Sequence, residues 1–396
     1  MRPIRAAGSL IEASRHAAAL IHPNAARRDL ERILPREEID IVRRMGMQAA
    51  RVPAAYGGQD ASFRDLVQVM LNLSAADPNV AQSLQSHFFF LELMRLEGTP
   101  EQRARAFGLV RIGAVFANAI AERGKKSPGT YDTRLAPIDG GWRLDGIKHY
   151  CTGSLVADWM FVLALNTEGG QMVAMVPVDR AGLVVVDDWN GMGQRTTGSG
   201  MVRFDGVHLD PEDALILRHW GQRRSYLNAA AQLVHATIDA GIARGALDDA
   251  VDLLRRFARP AGPGEGPVVS QDPYALLEAG HLEIEARTAE AMLNQAADAL
   301  DLAAALPPEA SDYEQACSDA SIAVAAAKAV STAAALKVSQ GIFKLFGAAA
   351  TGRSLNLDRH WRNARTHTTH DPIDMKYRAI GNFLLNGITP NISDKI

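Results

Sequence analysis

Trp159-Met160-Phe161-Val162-Leu163-Ala164-Leu165, followed closely by Met172-Val173-Ala174-Met175-Val176-Pro177-Val178, is the stretch on which the fold turns. Both runs are short, apolar and β-branched, and Gly169-Gly170 lies between them, as two strands joined by a tight turn require. Leu183-Val184-Val185-Val186 and Met201-Val202-Arg203-Phe204 repeat the texture, with Gly140-Gly141 and Asp205-Gly206 as punctuation. No ten-residue helical pattern intervenes, so residues 112–218 read as a small antiparallel β domain and not as a parallel α/β sheet.

On either side the period changes to that of helices. Before residue 112, apolar positions recur as Leu66, Val67, Met70, Leu71 and Leu73, then Leu84, Phe88, Leu91, Leu93 and Met94. Tyr56-Gly57-Gly58 and Asp77-Pro78-Asn79 break the run into several helices. Beyond residue 218, stretches 228–259, 274–305 and 315–349 read as long alanine-rich helices, with Ala261-Gly262-Pro263-Gly264-Glu265-Gly266-Pro267 as a loop. Long helices with short connections pack as antiparallel bundles. The expected fold is therefore α+β and mainly α: an N-terminal helical domain (1–111), a central antiparallel β domain (112–218) and a C-terminal four-helix bundle (219–396).

The composition is that of a globular enzyme. At 396 residues, 47% hydrophobic and 22% charged, the chain is too long for one core and too apolar for disorder. A net charge of -3 argues against a dedicated nucleic-acid binder. The two cysteines, Cys151 and Cys317, have no metal-ligand spacing and make no disulfide framework, which fits a reducing cytoplasm. The first eight residues lack the apolar core of a secretory signal, and no run of some eighteen uninterrupted apolar residues suggests a membrane span.

Chemistry concentrates near the C-terminus, in Thr366-His367-Thr368-Thr369-His370-Asp371-Pro372. Histidine titrates nearest neutrality, so imidazoles beside a carboxylate can move a proton; a solvated helix end is the plainer alternative. No glycine-rich phosphate loop follows a strand and opens a helix, which disfavours a tightly held nicotinamide.

The order helical, β, helical resembles the acyl-CoA dehydrogenase fold over nearly the whole chain. Gly146-Ile147-Lys148-His149-Tyr150-Cys151-Thr152-Gly153-Ser154 with Ala157-Asp158 looks like that family's flavin-facing strand. Trp189-Asn190-Gly191-Met192-Gly193-Gln194-Arg195-Thr196-Thr197-Gly198-Ser199 is similar to its G-M-R-x-T-x-S stretch, and Gly245-Ala246-Leu247 to a helix opening. The family's dehydrogenases carry a glutamate base after an R-D-x-R turn. Here Arg362-Asn363-Ala364-Arg365 leads instead into the histidine segment and Lys376-Tyr377-Arg378-Ala379-Ile380-Gly381-Asn382, a pattern similar to the flavin-dependent monooxygenase branch that includes dibenzothiophene monooxygenases and sulfur-acquisition oxidoreductases.

That resemblance implies a two-component reaction. A separate NAD(P)H-dependent reductase supplies reduced FMN (FAD being the alternative), which reacts with O2 to a C4a-hydroperoxyflavin that oxygenates a small aromatic or heteroaromatic molecule at sulfur, nitrogen or ring carbon. It implies His370 as acid/base with His367 as second candidate, and His87, Asn118 and Thr152 as companions. Asn118, Tyr150, Thr152, Gly153, Ser154, Trp189, Arg195, Thr196 and His370 would meet the flavin, with Arg259, Arg362 and Arg365 as candidates for its phosphate. For His87 the alternative is a satisfied core histidine; for Phe88, Phe89, Phe90, Trp189 and Phe346, expected around an apolar pocket, it is plain core. Two further readings stay open: an oxidase or dehydrogenase using Asp371 as base, and a flavin-free binding member. The fold's members commonly form homotetramers through the C-terminal bundle, and stretch 315–349 offers a face for this.

Overall fold

The computed structural model describes residues 9–124, 130–217, 220–257 and 271–392. Residues 1–8, on which the targeting argument rests, and Arg259 lie outside them. The N-terminal region forms helices α1 (Leu10–Ile21), α2 (Ala25–Glu31), α3 (Arg36–Arg44), α4 (Phe63–Ala76), α5 (Pro78–Glu97) and α6 (Pro100–Arg111). The breaks fall where the turn residues stand. Asp77 caps α5 by accepting from the Asn79 amide at 2.9 Å, and Pro78, with no N–H to lose, occupies the first turn. α5 is buried nearly all round, so it is the central post of the molecule.

The strands are β1 (Phe116–Ala119), β2 (Arg134–Ile138), β3 (Gly141–Lys148), β4 (Trp159–Leu165), β5 (Gln171–Pro177), β6 (Leu183–Val186), β7 (Met201–Leu209) and β8 (Ala214–Ile216). They form one sheet in the order β6-β7-β3-β2-β4-β5-β8, with β1 on β4. Antiparallel pairing dominates, as expected, but the sheet is mixed: β1 and β2 both run parallel to β4. Parallel neighbours need a long crossover, and the β2–β3 hairpin supplies it between β1 and β4. A hairpin signal in sequence cannot reveal such a crossover. β4 and β5 are buried through their centres, which explains their unbroken apolar runs.

Among the described residues the C-terminal region has three long helices, α7 (Leu227–Phe257), α8 (Pro273–Ala305) and α9 (Tyr313–Gly341). In place of a fourth long helix, the short α10 (Asp358–His367) and α11 (Asp374–Asn386) pack on α9. The helix expected over 315–349 ends at Gly341 and continues as 3-10 turns to Thr351. Gly341 marks the spot, since a Cβ there would lie 2.5 Å from Leu282 Cδ2. α9 and its extension, Tyr313–Leu345, are long and apolar enough to span a membrane, yet the segment is mostly buried and Lys328 within it is ion-paired. Its apolar surface is spent on the core.

Candidate active site

One face of α5 gathers the segments singled out in the sequence. Asn79, Gln82, Ser83 and Ser86 stand at i, i+3, i+4 and i+7, which places them on one stripe of the helix. Asn79 Oδ1 accepts from the Thr196 amide at 3.2 Å, and Gln82 Oε1 lies 3.1 Å from His367 Nε2. Ser83 presents its carbonyl to Gly153, where a Cβ would come within 2.8 Å of the oxygen, on a backbone with φ +83°. Ser86 Oγ accepts from the Asn118 side-chain amide at 2.7 Å. The flavin-strand motif, the Gly193–Ser199 stretch, β1 and the C-terminal histidines thus meet on a single helix face.

His87 lies off that stripe. It is fully buried, its Nε2 2.8 Å from the Gln48 carbonyl while Nδ1 accepts from the Phe116 amide at 3.2 Å. Burial holds its pKa down to about 4. With both nitrogens engaged by backbone, His87 has the geometry of a core histidine, contrary to the companion role expected for it; Ser86 and Gln82 take the positions facing the site. Phe88 and Phe90 are core as well, Phe90 stacking on Phe116 at 4.2 Å and on Phe161 at 5.4 Å. Phe89 and Phe346 are partly buried against the same core, while Met192 is exposed.

Of the motif expected as a flavin-facing strand, only the part up to Lys148 is in β3; His149–Ser154 turns away from it and is zipped to the Gln194–Gly200 loop. The amides of Cys151 and Gly153 donate to the carbonyls of Gly200 and Thr197, both at 2.9 Å. Thr152 Oγ1 and Ser199 Oγ are 2.9 Å apart, and Ser154 Oγ donates to the Gly198 carbonyl at 2.9 Å. Tyr150, with φ +56°, turns its ring outward, 6.4 Å edge-on from Trp189, whose Nε1 donates to the Gln194 carbonyl at 2.7 Å. These rings line a cleft of about 290 Å3 with His149, Asp188, Ser199 and Arg123, whose guanidinium lies 5.4 Å over Tyr150. The loop is also pinned to α10: Gln194 N donates to Asn363 Oδ1 at 2.7 Å and Gly193 N to Thr366 Oγ1 at 3.1 Å.

α10 ends at His367, and the chain then turns through His370 and Asp371, where Pro372 disfavours a helical Asp371. His367 is buried, with Nδ1 2.5 Å from Asp239 Oδ1 and Nε2 3.2 Å from His235 Nδ1, both on α7. His235 stacks on His370, ring centroids 4.2 Å apart. His370 is half exposed and its Nδ1 lies 3.3 Å from Asp371 Oδ2. Asp371 also accepts from Gln232 Nε2 at 2.7 Å and faces Lys376 Nζ at 3.7 Å. His370, Lys376 and Gln232 outweigh the cost of its burial and hold its carboxyl well below the usual carboxylate range. Burial pushes the pKa of His235 and of His367 down. Sequence reasoning missed Gln82, Ser86, His235, Asp239 and Lys328. Their signal was polar residues at helical spacing in apolar or alanine-rich helices, Gln232, His235 and Asp239 above all.

A flavin fits what is present. Thr196 Oγ1 and both polar atoms of the Gln194 side chain are buried without a partner among the described residues, an arrangement that calls for a bound polar group. Of the expected phosphate donors, Arg362 is committed to Asp29 and Asp358; Arg195, expected at the flavin, donates to the Asp29 carbonyl. Among the described residues no carboxylate pairs with Arg365, which with Arg123 leaves basic groups for a phosphate.

Models of the acyl-CoA dehydrogenase N-terminal, middle and C-terminal domains match residues 11–109, 117–207 and 233–375. The chain belongs to the acyl-CoA dehydrogenase family. Within the family it is similar to the dibenzothiophene monooxygenase of Rhodococcus erythropolis, 31% identical over 89% of this chain and 87% of that one. The structure of TdsC, a dibenzothiophene monooxygenase from Paenibacillus sp. A11-2, with FMN and indole superposes with a TM-score of 0.89 at 28% identity, covering 98% of this chain and 99% of that one. Methanesulfinate monooxygenase MsuC from Pseudomonas fluorescens superposes with a TM-score of 0.88 at 29% identity, over 98% of this chain and all of that one, 100%.

Proposed function

We infer that this chain is a reduced-FMN-dependent monooxygenase that oxygenates a small heteroaromatic molecule. The observation that carries the reading is the C-terminal acid/base position, where the family's dehydrogenases place a glutamate. Here stand two imidazoles and an aspartate already spent on His370, Lys376 and Gln232. A carboxylate held so firmly in its ionised form is a poor base for abstracting a substrate proton, so the reading with Asp371 as base gains no support. Bound reduced FMN would supply the electrons that activate dioxygen for transfer of one oxygen atom.

The side chains of this chain do the rest. The Tyr150–Ser154 segment and the Gln194 and Thr196 side chains would hold the isoalloxazine, with Arg123, on the rim of the cleft, as a basic group for the phosphate and Arg365 of α10 as a second candidate. Asn118, fixed by Ser86, offers an oriented amide from β1, and the Phe90–Phe116–Phe161 stack behind it keeps that wall dry. His370, with a half-exposed ring braced by Asp371 and His235, gives or takes the proton.

The activities of the relatives, on dibenzothiophene and methanesulfinate, and the indole in one structure favour a substrate with an oxidisable sulfur or an electron-rich nitrogen ring. Reduced FMN is proposed to come from a separate NAD(P)H-dependent reductase, in keeping with a sequence in which no glycine-rich phosphate motif follows a strand and opens a helix. The two buried free thiols fit the cytoplasm, where that reductase would work. Tyr274, Leu277 and Ile284 of α8, Leu384 and Leu385 of α11 and Ile388 just beyond it stand exposed on the bundle, an apolar surface suited to cover by further copies in a homotetramer. The deciding experiment supplies the protein with a flavin reductase, NADH, FMN and air and assays a panel of thiophenes, sulfinates and indoles. Oxygenated product is expected; hydrogen peroxide alone from every substrate would overturn the reading.

A further inference from the structure

We propose that Asp239, clamped by Lys328 and Thr332, is the positioning carboxylate of the site: it fixes the proton of His367 on Nδ1 and turns the Nε2 lone pair toward Gln82 and His235. Asp239 is completely buried on α7. Its Oδ2 accepts from Lys328 Nζ at 2.7 Å and from Thr332 Oγ1 at 2.9 Å, both on α9. Its Oδ1 is left for His367 Nδ1 at 2.5 Å. Lys328 holds the carboxylate ionised, and an ionised carboxylate only accepts hydrogen bonds, so the proton between Asp239 and His367 belongs to Nδ1.

Lys328 also decides the charge of the ring. Asp239 is already neutralised by a buried ammonium, so a second proton on His367 would add net positive charge to a site closed to water. A neutral ring protonated on Nδ1 is an acceptor at Nε2. His235 Nδ1, 3.2 Å away, is then the donor, and the Gln82 amide meets Nε2 through its nitrogen, since the two ends of an amide are interchangeable in placement. His235 is thereby protonated on Nδ1 as well. One buried ion pair, contributed by two helices of the bundle, thus sets the tautomers of His367 and His235, and His235 is the ring on which His370 rests. Lys328 and Asp239 would satisfy each other without the histidines. The use of the second carboxylate oxygen on His367 is what marks this pair as a device for orientation.

The effect on turnover rests on the oxygenase reading, but the tautomer does not. Nitrogen-15 spectra of histidine-labelled, ligand-free protein, with His367 assigned by its loss in His367→Gln, are expected to show the Nδ1–H tautomer. In Asp239→Asn, Lys328 should claim the amide oxygen and leave the amide nitrogen facing His367 Nδ1, so the proton should move to Nε2. Product formation should then fall by about 10 to 10²-fold, less than on loss of His370 itself, because Asp239 reaches that ring only through His367 and His235. FMN affinity and substrate KM are expected to change less than about threefold, a split that general loosening of the bundle would not give. Should the single variant fail to fold, Asp239→Leu with Lys328→Met removes the buried charges together and should abolish the Nδ1–H preference. An Nε2–H tautomer in the wild type, or a variant that keeps both the Nδ1–H signal and product formation within threefold, would overturn the proposal. A wild type that makes no oxygenated product would instead sink the oxygenase reading, with the spectra still deciding this one.

Discussion

The imidazole of His235 lies flat against that of His370, centroids 4.2 Å apart and planes 29° from parallel, so a histidine buried in α7 is the floor for the half-exposed one beyond α10. The two rings are separated by the whole of α8 and α9 in sequence, and neither would hold this arrangement alone. His370→Ala is expected to lower product formation by about 10² to 10³-fold, in the range of a lost general acid or base, and to raise hydrogen peroxide release. FMN binding should stay within about threefold. Unchanged product formation would remove His370 from the proton step.

Gly153→Ala should separate cofactor binding from the histidine chemistry. The new Cβ would sit 2.8 Å from the Ser83 carbonyl at φ +83°, forcing the turn that follows β3 away from α5. Strain of this kind costs of order 1 to 3 kcal/mol. We expect FMN affinity, read by fluorescence quenching, to weaken at least about tenfold while the fold persists in circular dichroism. Wild-type affinity would mean that this turn does not seat the flavin.

Lys328→Met tests the buried pair through stability. Removing one partner leaves Asp239 charged in the core, a change that costs about 3 to 5 kcal/mol, whereas removing both with an apolar pair is often neutral. Scanning calorimetry should show a clear drop in Tm for the single variant and recovery of most of it in Lys328→Met with Asp239→Leu. Equal Tm values for the wild type and the single variant would show that the pair is not closed to water.

Acid should loosen the protein through its neutral buried histidines. His87 and His360 are each held down to about 4, chiefly by burial, against an ordinary value near 6.5. Between those values the unfolded chain binds the proton first, so stability is full above about pH 6.5 and declines as pH falls toward 4, by up to about 1.4 kcal/mol per pH for each group. His87→Gln should flatten the dependence of Tm on pH across that window. A variant with the wild-type slope would assign the acid sensitivity to other groups.

Asn118→Ala should expose what the amide on β1 contributes. Its loss leaves Ser86 Oγ without the 2.7 Å donor that ties α5 to the strand, yet the aromatic stack behind remains. We expect coupling of NADH oxidation to product to fall several-fold with Tm within about 3 °C of the wild type, consistent with a lost hydrogen bond of about 1 kcal/mol. A large loss of Tm with intact coupling would make Asn118 structural.

The order of helices, strands and helices, the strand runs and the breaks at Asp77-Pro78 and Gly57-Gly58 could be read directly, because periodicity and turn chemistry are local properties of a chain. So could the segment that carries His367, His370 and Asp371, since a motif is a matter of adjacency; that it stands in place of a glutamate came from the family resemblance. The sequence placed His87 beside the chemistry for want of a way to see which face of α5 would turn inward. His87 and Ser86 are neighbours in the chain and lie on different faces of the helix, and only packing against β1 and α10 chose Ser86 and Gln82. The parallel pairing of β1 with β4, and the meeting of Gln82 with His367 across 285 residues and of Lys328 with Asp239 across 89, were likewise decided by tertiary structure. Local sequence dictates what each element is and which residues share its face. Which face is buried, and which distant charge it meets there, follows from desolvation in the assembled core, where a polar group keeps its place only if another element brings its partner.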